Sequence, residues 1–176
     1  MNFYIQANNP RVLNGYNPED ENLSDAMETI FPLYTESAVM MWNHISIPLS
    51  YKYDISYMMD DILYLLEDLS QVNEGKRRIC WLPDTFRCDW DIVWGKGQIE
   101  ITSNWESVTG NLEGLLNANN KIFLKIIEFM SEWKQVLYIV LQGLKNNGYM
   151  EDMIINLDKL SEQYEMIPGN GILYQG

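Results

Sequence analysis

Asp89 and Asp91 stand two residues apart in the run Cys88-Asp89-Trp90-Asp91-Ile92-Val93-Trp94, where acids alternate with apolar side chains. On a strand, that spacing sends both carboxylates out of one face. Such a pair could coordinate a divalent cation, work as acid and base, or offer two aligned acceptors to an arginine or lysine of a partner. It could equally be the wet face of a half-exposed hairpin. Other chemistry is sparse. A nucleophilic triad needs a base beside Ser or Cys, and His44 is the only histidine. At the end of an expected helix near Trp42, it reads as a capping or surface residue. No Gly-x-Ser-x-Gly elbow occurs, and Gly95-Lys96-Gly97 is a turn, too short for a phosphate loop. Cys80 and Cys88 are wrongly spaced for a zinc knuckle and too few for a disulfide scaffold; they read as buried free thiols. No cofactor is expected.

The remaining carboxylates are informative through their number. The chain of 176 residues carries 25 acids and 12 bases, a net charge of −13. Residues 1–75 hold twelve acids against two bases, Arg11 and Lys52, a balance of −10, while residues 76–176 carry only −3. Nucleic acid and anionic membrane surfaces are disfavoured as partners, because both recruit cationic surfaces. A basic protein would be steered in. The bland alternative is that the charge only keeps the chain in solution. Asp60-Asp61, Glu67-Asp68 and Glu151-Asp152 are neighbours in sequence, and adjacent residues on a helix do not face each other. They read as solvated faces.

The elements that would position these groups follow from periodicity. Residues 3–5 open with a short strand. Ser24 is a candidate N-cap for a helical pattern that continues through Met41 and Trp42, in which Pro32 either kinks the helix or marks its true start. Residues 45–53 alternate as an extended segment with Ile45, Ile47, Leu49, Tyr51 and Tyr53 on one face, and Pro48 argues for an edge strand or a non-strand connector. Asp54 caps an amphipathic helix over residues 55–69, with Asp60, Asp61, Glu67 and Asp68 on its polar side and Tyr57 and Tyr64 on its flanks. Residues 78–82 look extended. The Trp-rich segment 88–94, the Gly95-Lys96-Gly97 turn and residues 99–105 make a hairpin. A long helix is expected over residues 115–144 and a final one over 151–164, before a short apolar segment at 172–174. Trp90 and Trp94 belong to the core; Trp81 and Trp105 flank the sheet and could be partly exposed. The methionine pairs Met40-Met41 and Met58-Met59 fill the core. The result is one α+β domain: a central, mostly antiparallel sheet with a Trp-rich hairpin, flanked by about four helices. No basic stretch leads into an apolar one at the start, and no run of about 18 apolar residues occurs. No signal peptide or membrane span is expected, and a cytoplasmic location is the default.

The hairpin of residues 88–105, with its Asp89, Asp91 and Glu100, together with the acidic helical first half, resembles in style the small immunity proteins of bacterial toxin systems, the contact-dependent growth inhibition type above all. The likeness rests on no diagnostic motif, so no residue roles carry over. It implies a protein that binds a cognate toxin, often a basic nuclease, and blocks it. The expected contact residues are Asp54, Asp60, Asp61, Glu67 and Asp68, then Asp89 and Asp91, with Tyr57 and Tyr64 as aromatic anchors. Two rivals remain. One is a metal-assisted enzyme built on Asp89 and Asp91, and the other is a structural subunit that self-associates through its aromatic surface. The oligomeric state is open.

Overall fold

Lys96 and Gly97 both have positive φ, the backbone that a tight two-residue hairpin turn requires. They close β5 (Phe86–Gly95) onto β6 (Gln98–Val108), starting at the Gly95↔Gln98 pair. Along β5 the burial alternates strictly, with Phe86, Cys88, Trp90, Ile92 and Trp94 inward. β4 (Gly75–Trp81) and β7 (Lys121–Lys125) complete a four-stranded antiparallel sheet in the order β4-β5-β6-β7. A second antiparallel sheet joins β1 (Phe3–Gln6), β2 (Ala38–Trp42) and β3 (Ile45–Leu49) in that order. Pro48, which cannot donate to a ladder, lies on the edge strand β3. The computed structural model describes residues 2–168; the apolar segment expected at 172–174 lies outside them.

Among the described residues, five helices accompany the sheets: α1 (Leu23–Ile30), α2 (Ser56–Gln71), α3 (Glu113–Ala118), α4 (Ile126–Asn146) and α5 (Leu157–Met166). The architecture is α+β, with two antiparallel sheets in place of the one expected. A single hydrophobic core runs through both sheets and the helices. Its centre is aromatic. Trp90 lies 5.4 Å from Trp42 and 4.7 Å from Trp81, and Trp42 meets Trp105 edge-on at 5.2 Å. Trp81 and Trp105 are therefore buried, not partly exposed. The two sheets are stitched at one end, where the Trp42 indole and the Asn43 amide both donate to the Asn119 carbonyl.

Several boundaries differ from the sequence reading. Asn22, not Ser24, caps α1, its side chain accepting from the Asp25 N–H at 3.0 Å. The helix stops at Ile30, because Pro32 pushes Phe31 into extended backbone. Residues 38–42 are strand β2, and His44 sits exposed in a β2–β3 turn where it and Asn43 both have positive φ. The segment expected over 45–53 ends at Leu49, and a π-helical turn, Tyr51–Ile55, leads into α2. The long helix expected over 115–144 is interrupted by β7, which follows the break at Asn119-Asn120. The final helix begins only at Leu157, after the 149–156 connection.

Candidate functional site

α2 gathers most of the acids singled out in the sequence. Its inner side, Met58, Met59, Ile62, Leu65, Leu66 and Leu69, is buried. Helical spacing places Tyr57, Asp60, Asp61, Tyr64, Glu67 and Asp68 together on the outer face. Tyr57 is 57% exposed and Tyr64 39%. That face is flanked by β4 on one side and by α5 with the 149–156 connection on the other, and the two ends of the helix differ in charge. At the C-terminal end the acids are neutralised within the chain: Asp68 pairs with Arg77 at 2.7 Å and Glu67 with Lys159 at 2.7 Å. At the N-terminal end Asp60 and Asp61 have neutral partners. Asp60 accepts from the Asn156 amide at 3.0 Å, and Asp61 from the Trp81 indole at 3.1 Å. Burial raises the Asp61 pKa, against the lowering effect of that indole bond. Among the described residues, neither acid has a cation within ion-pair distance.

Asp54 does not belong to this surface. It is 2% exposed and lies in the π-helical turn, where Ser50 takes the capping role and Asp54 is a buried acceptor. One carboxylate oxygen accepts from the Ser50 N–H at 2.7 Å and the other from the Thr85 hydroxyl. Burial raises its pKa, partly offset by these two bonds. Its place as a contact residue is corrected: it ties the start of α2 to the β4–β5 loop.

Asp89 and Asp91 do share one face of β5, as the spacing required, but it is the opposite side of the sheet from α2. Strand alternation assigns the adjacent arginines of β4 to different faces. Arg77 reaches Asp68 of α2, while Arg78 bridges the two hairpin acids, at 2.9 Å from Asp89 and 3.5 Å from Asp91. The paired carboxylates are thus engaged by a cation of their own chain. Hydrogen bonds from the Cys80 thiol and Arg78 lower the Asp89 pKa. Cys80 is exposed on that face, a correction to its expected burial, whereas Cys88 points into the core. Among the described residues, no group of three or more His, Cys, Asp or Glu side chains is placed to hold a metal ion. No helix there is long and apolar enough to cross a membrane.

The sequence reading missed what lies beside Asp60. The 149–156 connection docks against the loop before α1: the Ile155 N–H donates to the Glu21 carbonyl at 2.9 Å, and Asn22 bridges to Ile155. Asn156 accepts from the Tyr64 hydroxyl at 3.3 Å while donating to Asp60. Tyr16, Met150, Met153 and Ile155 are all exposed there. At the start of α2, Tyr53, Tyr57, Leu82, Pro83, Asp84 and Thr85 line a shallow groove of about 420 Å³. No local pattern announces either feature, since each joins segments distant in sequence. Searches of family models, curated proteins and solved structures find no match for this chain.

Proposed function

We propose that this chain is a binding protein that neutralises a basic macromolecular partner, an immunity protein acting on a toxic nuclease. The observation that supports this reading most is the N-terminal half of the α2 face. Asp60 and Asp61 are left without ion pairs beside the exposed rings of Tyr57 and Tyr64, although the same helix has its later acids paired. Uncompensated acids speed the approach of a cationic partner, and exposed tyrosines on rigid elements are suited to anchor it. A nuclease surface that holds phosphates is cationic, so it is complementary to such a face.

The test is capture of host proteins on the immobilised chain at low salt, elution with rising salt, and nuclease assay of the eluate. The expected result is one basic protein, recovered stoichiometrically, whose nuclease activity is suppressed by an equimolar amount of the chain. A captured protein whose activity the chain leaves untouched would overturn the reading.

A further inference from the structure

We infer that the apolar patch on the 149–156 connection is a docking surface for a cationic amphipathic segment of a protein partner. This rests on the binding reading above and names the chemistry of what binds. The patch is built from Tyr16, Met150, Met153 and Ile155, and Met150 and Ile155 are 52% and 63% exposed. The Tyr16 hydroxyl lies 3.7 Å from the Met153 sulfur, and Met150, Met153 and Ile155 follow one another on a single short connection, where the Met153 N–H donates to the Met150 carbonyl at 3.0 Å. Isolated apolar side chains at a surface are ordinary, whereas a contiguous group with a polar rim marks an interaction site.

The patch is held in shape from beneath. Tyr149 is buried, its ring 5.0 Å from that of Tyr16, and its hydroxyl donates to Asp20 and accepts from the Asn17 N–H at 3.2 Å. A surface fixed in advance loses little entropy on binding. Methionine side chains on top of it can still adapt to different aliphatic shapes.

The rim decides what kind of segment fits. The segment that Tyr149 and Ile155 bond to carries Glu19 and Glu21, the first turn of α1 carries Asp25, the connection itself carries Asp152, and Asp60 accepts from Asn156. None of these five acids has an ion pair among the described residues; the one pair at this site is Lys145–Glu151, at 3.5 Å. An acidic or neutral segment would strand them, while one with aliphatic residues on one side and lysine or arginine on the other satisfies both patch and rim.

The probe is a 14-residue peptide of leucine and lysine with amphipathic spacing, titrated into the full chain by calorimetry at several salt concentrations. A lysine-only peptide of the same length is the comparison. Saturable one-to-one binding is expected, with the lysine-only peptide at least about tenfold weaker. The double variant Met153→Ser/Ile155→Ser should lose about tenfold without changing the salt dependence; its near-ultraviolet circular dichroism, dominated by buried tryptophans, verifies the fold. Equal binding of the two peptides, unchanged binding by the double variant, or no saturable binding overturns the inference. If the peptide fails while a whole nuclease is still captured and suppressed, only this inference falls. If the peptide binds and the captured protein is not suppressed, the immunity reading falls instead.

Discussion

Replacing Asp54 separates a structural acid from a contact acid. In Asp54→Ala, the Ser50 N–H and the Thr85 hydroxyl lose their acceptor. Each bond to a charged acceptor contributes about 1.5–3 kcal/mol. Thr85 is exposed and can turn its hydroxyl to water, and the variant is relieved of burying a carboxylate, so the net loss is about 2–4 kcal/mol. For a chain of this size that lowers Tm by about 4–16 °C. Asp54→Asn keeps an oxygen for Ser50 and an amide that can donate to Thr85, so it should lie within about 1 kcal/mol of the parent. Both variants are read by thermal and urea unfolding at pH 7. Capture of a partner, measured on the folded variants below their Tm, should be unchanged in each. A loss under about 0.5 kcal/mol in Asp54→Ala, or an equal loss in both variants, would refute the account of Asp54 as a buried double acceptor.

Burial raises the pKa values of Asp54, Asp61 and Glu132, so the folded chain holds their protons more tightly than the unfolded chain does. Their favourable contribution is complete below the unfolded carboxyl values and is lost as pH rises through the folded ones. Stability should therefore be greater near the ordinary carboxyl range than at pH 7.5, helped by relief of the −13 charge; a Tm that rises steadily from about pH 4.5 to pH 7.5 would contradict this. In the α2 face, Asp60→Asn/Asp61→Asn removes two uncompensated charges. At about 8 Å in water each is worth about 0.5 kcal/mol to an approaching cation, so association with a captured partner should slow about fivefold at low salt. Deleting the Glu67–Lys159 pair as a pair leaves the net charge unchanged and should leave the association rate unchanged, as stopped-flow mixing would show. A thiol reagent should modify one cysteine per native chain, Cys80, and two after denaturation, because Cys88 is buried and its pKa is pushed far above the usual thiol range; two rapid native reactions would place Cys88 elsewhere.

The parts of the fold that could be read ahead are those in which polarity betrays the period. In β5 the acids at 89 and 91 interleave with Trp90 and Ile92, and in α2 the apolar positions recur every three or four residues. β2 offered no such contrast. Ala-Val-Met-Met-Trp has no polar residue, because its outer side is itself half-buried, so it was legible only as the end of a helix. β7 is short, and Lys-Ile-Phe-Leu-Lys fits a helix turn as well as a strand; only its pairing with β6 decides. The π-helical turn made Asp54 look like a cap, since it lies just before the helical period begins. In the candidate site, Asp60 and Asp61 were legible as the polar side of α2, with Tyr57 and Tyr64 on its flanks. Pairing of Asp68 and Glu67, and the docking of Ile155 on Glu21, depend on partners that composition cannot assign.

The charge asymmetry of the sequence takes on a sharper meaning in three dimensions. The bases of the second half reach back to acids where elements meet: Arg77 joins β4 to α2, Lys159 joins α5 to α2, and Arg78 spans β4 and β5. Acids that pin the fold therefore carry little net field. Asp25 lies in the first turn of α1, where the helix dipole offsets part of its charge. Asp60 and Asp61 stand one full turn into α2 and make no ion pair; Arg77 acts on Asp61 only from beyond ion-pair distance, and the neutral partners Asn156 and Trp81 leave the charge intact. Two like charges on adjacent residues, held without an ion pair, weaken the isolated fold slightly. On the proposed reading, that cost is recovered when a cationic partner arrives. It is the arrangement expected of a surface whose acids set the rate of encounter while neighbouring tyrosine, methionine and isoleucine side chains set how long the complex lasts.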